Sequence, residues 1–180
     1  AATVVNTARA RKMTQAPASV LILTPVKTAS RFLDSYFAGL KSLTYPRQKL
    51  SLGILEGDSL DDTGVQVAQR LALCDGDFSR ITYVRRDFNF QIPAHVPRYA
   101  VVFQPQRRAV LAKARNTLLF RALADEDWVL WLDVDVREYP TDIIERLLAI
   151  DGDIVHPNCV RAYGGPSFDR NAWSDGGRRY

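Results

Sequence analysis

The sequence predicts an α/β domain built on a mainly parallel sheet with flanking helices. Three observations carry this. Short apolar runs of strand length recur at residues 19–24, 50–56, 80–85 and 128–132. Between them lie stretches whose apolar residues return every three or four positions, the spacing of a helix packed by one face. Strand and helix alternate along the chain with no internal repeat, the signature of βαβ units. With 180 residues, 47% of them hydrophobic, one domain with a sizeable core is expected.

Taken in order, residues 1–18 are polar, Ala-rich and aperiodic and predict a loose lead-in. SVLILT (19–24) is a buried strand closed by Pro25, which cannot continue a ladder. From Ser30, Phe32, Leu33, Tyr36, Phe37, Leu40 and Leu43 mark a helix ending before Tyr45-Pro46. LSLGILE (50–56) is the second strand. The polar turn after it holds Asp58, Asp61 and Asp62, and Asp62 or Thr63 is expected to cap a helix over 64–73. RITYVR (80–85) alternates, as a strand nearer an edge does.

Residues 86–104 contain Pro93 and Pro97 and no period; a connection that long in a compact domain is functional or mobile. A helix opens near Pro105 and runs to Leu123, with Val110, Leu111, Ala114, Leu118 and Ala122 facing the core. Trp128–Glu138, WVLWLDVDVRE, then places five apolar residues before two acids, Asp133 and Asp135. Residues 140–148 form a further helix and 153–156 a short strand. One α/β domain is thus expected over 19–157, with an irregular Gly-rich tail over 158–180, where Tyr163, Phe168 and Trp173 would be a sugar platform, packing residues or disordered.

Carboxylates where a buried strand ends are costly to desolvate alone, so they face a cation, a donor or water. In open α/β sheets the crevice at the strands' carboxyl ends is where ligands bind. Asp133 and Asp135, one residue apart, offer hard oxygen ligands to Mg²⁺ or Mn²⁺ and through it to a diphosphate. The net charge of +4 suits an anionic nucleotide. No basic stripe interleaved with stacking aromatics points to a nucleic-acid partner. No stretch reaches the 18 apolar residues of a membrane span. The first turn lacks G-x-G-x-x-G, which disfavours a dinucleotide dehydrogenase. Cys74 and Cys159 lack metal-ligand spacing and are expected as thiols, or as one disulfide in an oxidising compartment.

Arg115 and Asn116 precede the central strand on the long helix. Either they form a solvated face, or they are functional, since Arg115 adjoins core residue Ala114 and Asn116 is a poor helix former. Arg107 and Arg108 stand against the macrodipole at that helix's N-terminus, a conflict an anion would relieve. His156 is expected as a core or edge residue.

The segments VLILTPVKTASRFLDSYFAGLKSLTYP, FQPQRRAVLAKARNTLLF, DWVLWLDVDVREYPTDII and PNCVRAYGGPSFDRNAWSD together resemble the Mnn9/Anp1/Van1 family of fungal Golgi α-mannosyltransferases, the mannan polymerase subunits. ARNTLLF followed by WVLWLDVDV carries most of that likeness. The resemblance implies a GT-A glycosyltransferase fold, a GDP-mannose donor, Mn²⁺ as cofactor, and retaining transfer that extends an α1,6-mannan backbone on mannose-terminated N-glycans. It implies hetero-oligomers of related subunits in the Golgi lumen, on an N-terminal type II membrane anchor absent from this chain. By position, Asp133 and Asp135 are the metal and diphosphate motif, with Asp135 the more direct metal ligand and Asp133 on the ribose or a metal-bound water. Asp58, with Glu56 as competitor, would read guanine, whose two N–H donors match a carboxylate. Thr24 and Pro25 would offer backbone groups to the nucleoside. Retention by same-face attack, with the departing phosphate as base, needs no catalytic residue from the protein, and none is assigned.

The chain opens on Ala and is read as an internal fragment that stops before the acceptor-side half of the fold. A non-catalytic subunit of a hetero-oligomeric mannosyltransferase complex is the rival from another class. A nucleotidyltransferase is the second, although TPVKTAS is a poor phosphate loop.

Overall fold

The computed structural model describes residues 2–6, 17–93, 95–97, 100–162, 164–167, 173–174 and 178–179. Its main sheet runs β4-β3-β2-β5-β1-β6. The strands are β1 (Ala2–Asn6), β2 (Val20–Val26), β3 (Leu50–Glu56), β4 (Arg80–Arg85), β5 (Trp128–Leu132) and β6 (Ile154–Val155). β4, β3, β2 and β5 are mutually parallel, whereas β1 lies antiparallel between β5 and β6. The mainly parallel sheet expected from the apolar runs is therefore present, with bounds close to those expected. Ala2–Asn6 is the exception. A loose lead-in was expected there because five residues are too few to display a period; the neighbouring strands β5 and β6 supply its ladder partners.

Helices α1 (Ser30–Ser42), α2 (Thr63–Ala72), α3 (Gln104–Ala122) and α4 (Ile143–Leu148) flank the sheet. Alternation along the strands sorts the core into two faces. Val20, Ile22, Leu52, Ile54, Leu130 and Leu132 pack with α1, α2 and α4. Leu21, Leu23, Leu55 and Val129 pack beneath Ala114, Leu118 and Ala122 of α3. Gly53 lets α3 approach: a Cβ there would lie 2.6 Å from Leu23 Cδ2 and 2.9 Å from the Ala122 Cβ. A short hairpin, β7 (Trp173–Ser174) with β8 (Arg178–Arg179), lies in the tail. The side chains of Tyr163, Phe168 and Trp173, considered as a sugar platform, lie outside the described residues.

The chain steps β2, β3, β4 in one direction and then returns through α3 to place β5 on the other side of β2. That reversal is a topological switch point, and the splayed connections leave a crevice at the carboxyl ends of β2 and β5. Pro25 and Asp133 stand at those ends.

Candidate functional site: a cleft at the switch point

A cleft of about 520 Å³ occupies this crevice. Its floor is Pro25 to Ala29 after β2, and Leu55, Gly57 and Asp58 at the end of β3. One wall is α3, through Arg107, Val110, Leu111, Ala114 and Arg115; Asp133 to Asp135 follow β5. The remaining wall is a strap from the long connection after β4, through Phe88 and Phe90 to Pro93 and Val96. The aperiodic stretch at 86–104 thus contributes to the site, as its length suggested.

Asp133 and Asp135 both reach the cleft, Asp133 half-buried and Asp135 exposed. Strand alternation turns Asp133 toward α3, where Arg115 Nη2 donates to its Oδ1 at 3.1 Å. Arg115 also lies over the Trp131 ring at 5.1 Å, and its Nε is buried with no acceptor among the described residues. Arg115 is thus drawn to the core side of α3 by two partners at the end of β5. Asn116, one residue on, is exposed and does not line the cleft, because 100° of helical rotation turns it away. The arginine pair divides in the same way. Arg107 lines the cleft and Arg108 faces solvent.

Thr24 and Glu56 are not brought to the cleft. Thr24 is fully buried on the α1 face; its hydroxyl donates to the Leu132 carbonyl at 2.7 Å and shares a 2.6 Å hydrogen bond with the Tyr36 hydroxyl. It ties β2 to β5 just below the switch point. Glu56, expected as a competitor for the base, faces α2 and pairs with Arg85 Nε at 3.2 Å. Period-two alternation places it opposite Leu55, which does line the cleft.

Asp58 lines the cleft and is buried, but its polar groups are committed to the strap. The carboxylate accepts from the Phe88 amide (3.1 Å to each oxygen) and the Asn89 amide (2.9 Å). Lys27 Nζ stands 4.0 Å from Oδ2 and also donates to the Phe90 carbonyl. Burial holds the Lys27 ammonium below its ordinary pKa, against the opposing pull of Asp58 and Asp87. The sequence offered no signal for Lys27, Phe88, Phe90 or Gln91; a lysine after a strand and aromatics in an aperiodic loop acquire meaning only from what they meet.

The cleft is bordered by strained backbone. The three non-glycine residues with left-handed φ among the described residues are Thr28 (47°), Asp58 (56°) and Asn89 (55°). Such conformations persist where surrounding bonds over-determine them, and they cluster at ligand sites. The turn at 57–63 supplies some of those bonds. Thr28 N–H donates to Ser59 Oγ at 3.0 Å and Ala29 N–H to Thr63 Oγ1 at 2.7 Å. Asp62 occupies the N-cap position of α2, one of the two residues expected there, but its side chain makes no capping bond; Asp61 instead accepts from the Thr63 amide at 3.1 Å and the Ser30 amide at 3.2 Å. One carboxylate thus serves the first turns of α2 and α1 together. Burial pushes that carboxyl upward, but its hydrogen bonds to Thr63 and Ser30 outweigh this and hold it below the usual range.

Among the described residues no group of three His, Cys, Asp or Glu side chains converges on one point, and none of the helices is long and apolar enough to cross a membrane. Cys74, buried, and Cys159 are both free thiols. As a donor set, Asp133 and Asp135 fit Mn²⁺ or Mg²⁺ as a two-carboxylate site completed by ligand oxygens and water. Asp135 is the better placed, since Asp133 Oδ1 already faces a guanidinium.

Comparison with known proteins places this geometry. The chain is 31% identical over 169 residues to the mannan polymerase II complex anp1 subunit of Schizosaccharomyces pombe, covering 87% of this chain and 39% of that protein. It is 34% identical over 167 residues to the mannan polymerase complex subunit mnn9 of the same yeast, covering 87% and 49%. The chain therefore spans roughly two fifths to one half of these relatives. Among solved structures, it superposes on the mannosyltransferase PcManGT from Pyrobaculum calidifontis in complex with GDP-Man and Mn²⁺ (TM-score 0.52, 20% identity, 73% of this chain and 31% of that one). It also superposes on S. aureus TarS 1–349 in complex with UDP (TM-score 0.50, 15% identity, 73% and 31%). At those identities the common property is the fold, that of GT-A glycosyltransferases over part of their length. The Anp1 family model matches residues 2–179, so the chain, with its parallel sheet and its two aspartates at the switch point, belongs to the Anp1 family.

Proposed function

We propose that this chain is the donor-nucleotide part of a metal-dependent, retaining α-mannosyltransferase that uses GDP-mannose to extend the α1,6-linked mannan backbone of N-glycans. The observation that carries the proposal is the convergence of Asp133, Asp135 and Arg115 with Pro25–Lys27 on one cleft at the β2/β5 switch point. Asp135, with Asp133 beside it, would hold Mn²⁺. When bound, the metal would neutralise charge on the leaving diphosphate. Arg115 and Arg107 would supply fixed positive charge along the same wall, and Pro25 to Thr28 would bed the nucleoside. With no base assigned to the protein, catalysis on this side of the fold reduces to position and electrostatics. The mannosyltransferase solved with GDP-Man and Mn²⁺ shares the fold, so this sheet is compatible with a nucleotide-sugar donor and a metal. The whole protein would work in the Golgi lumen on an N-terminal membrane anchor, in hetero-oligomers with related subunits and on mannose-terminated acceptors.

The test is calorimetric titration of the chain with GDP, with and without Mn²⁺, for wild type and Asp135→Ala. GDP is expected to bind more tightly with Mn²⁺, and the substitution to remove most of that gain. A second reading, a non-catalytic subunit of the same complex, is favoured by the Arg115 guanidinium standing where a metal would approach Asp133. Mn²⁺-independent or absent GDP binding, repeated on the full-length protein, would select it.

A further inference from the structure

We propose that Asp58 and Lys27 are positioning residues: together they clasp the strap 87–91 across the cleft, and the strap, rather than the Asp58 carboxylate, presents the surface that meets the nucleotide. The inference rests on the proposed nucleotide site and deepens it.

Every polar group of Asp58 is used by the strap or by Lys27. Its amide donates to Asp87 Oδ1 at 2.6 Å, and its carbonyl accepts from Gln91 Nε2 at 2.6 Å. Its carboxylate takes the Phe88 amide on both oxygens and the Asn89 amide on Oδ1, with Lys27 close to Oδ2. A carboxylate accepting backbone N–H groups makes charge-assisted bonds, stronger than neutral ones. These bonds hold Asp58 and Asn89 in left-handed conformations, which Asp and Asn tolerate better than other non-glycine residues. Lys27 closes the far end through the Phe90 carbonyl and stands 5.5 Å from the centre of the Phe90 ring. At the near end, the strap leaves β4 pressed against Gly57, where a Cβ would sit 1.9 Å from the Arg86 carbonyl oxygen.

This disposition has a chemical consequence. A guanine reader must turn both carboxylate oxygens to the base's two N–H donors. Asp58 turns them to main-chain amides instead. Phe88, Phe90 and Gln91, which the clasp fixes, are the groups it offers to the cleft. Removing the clasp should loosen the strap and weaken binding of every nucleotide by a similar factor, leaving base preference unchanged.

The experiment has two arms on Asp58→Ala, Asp58→Asn and Lys27→Gln. The first is amide hydrogen exchange by NMR without ligand. Exchange at Phe88 and Asn89 is expected to accelerate about tenfold or more in Asp58→Ala, the loss of roughly one net hydrogen bond, while amides of β2 and β3 keep wild-type rates. Asp58→Asn, which keeps an acceptor oxygen, should restore part of that protection. Lys27→Gln should speed exchange within the strap to a smaller degree. The second arm compares GDP with IDP, which lacks the 2-amino donor. Affinity should fall for both by the same factor, with their ratio as in wild type. Unchanged exchange at Phe88 and Asn89 in Asp58→Ala would overturn the proposal, as would a collapsed GDP-to-IDP ratio, which would make Asp58 the base reader. If the wild type binds no nucleotide, the functional proposal fails, and the exchange arm still decides whether Asp58 and Lys27 hold the strap. Global loss of protection in Asp58→Ala transfers the decision to Asp58→Asn and Lys27→Gln.

Discussion

Replacing Arg115 by Met should move metal and nucleotide affinity in opposite directions. The guanidinium sits 3.1 Å from Asp133 Oδ1, and both side chains are 36% exposed. Two unit charges about 4 Å apart attract by about 4 kcal/mol at an effective dielectric of about 20. Solvent screening of so open a pair reduces that to about 1 kcal/mol. A Mn²⁺ approaching Asp133 must compete with this attraction and with repulsion from the guanidinium itself. Met keeps an apolar stem against Trp131 and removes the charge. Mn²⁺ alone is therefore expected to bind about fivefold more tightly to Arg115→Met, the equivalent of about 1 kcal/mol. GDP at saturating Mn²⁺ should bind about ten- to a hundredfold more weakly, because the diphosphate loses a charge-assisted donor worth ~1.5–3 kcal/mol. Calorimetry with Mn²⁺ and then with GDP reads both. Unchanged or weaker Mn²⁺ binding would refute the competition at Asp133, and undiminished GDP binding would refute a diphosphate contact for Arg115.

Three further outcomes concern the scaffold that holds the cleft. Gly53→Ala should cost ~1–3 kcal/mol in urea unfolding, since the added methyl meets Leu23 and Ala122 between β3 and α3; an unchanged midpoint would show that α3 shifts without cost. Tyr139→Phe should raise the unfolding midpoint or leave it in place, because the tyrosine hydroxyl is buried with no partner among the described residues and deleting it leaves no group unsatisfied; a clear loss of stability would reveal a bond to that hydroxyl. Glu126 is buried, which pushes its carboxyl upward, yet hydrogen bonds from the Ala124 amide, Ser51 and Arg80 outweigh burial and hold it below the usual range. A depressed folded pKa contributes stability that is present above the unfolded value of about 4.3 and lost as pH falls through the folded one. Denaturation from pH 3 to 7 should therefore be less pH-dependent in Glu126→Gln than in wild type, and parallel curves would refute the assignment.

The main strands and helices were legible in the sequence because each carries its own period. Five consecutive apolar residues at 128–132 and three-and-four spacing on α1 and α3 need no partner to be recognised. Asp133 and Asp135 were legible for the same reason, since acids ending a buried strand conflict with their surroundings unless a ligand or solvent meets them. β1 was not, because five residues show no decisive period and their strand is completed by partners more than a hundred positions away. Among the site candidates, sequence proximity misled where facing decides. Glu56 and Asp58 are two residues apart, yet a strand end and a left-handed turn send one to α2 and the other to the cleft. Arg115 and Asn116 are adjacent, yet helical rotation keeps only the first at Asp133. Sequence alone thus determined the strand and helix pattern and the acids at the end of β5, because those signals are local. Only the tertiary structure decided that Lys27, the strap and Asp58 form one unit, because their bonds join β2, β3 and the connection after β4, and no local pattern encodes which backbone amide a buried carboxylate will find.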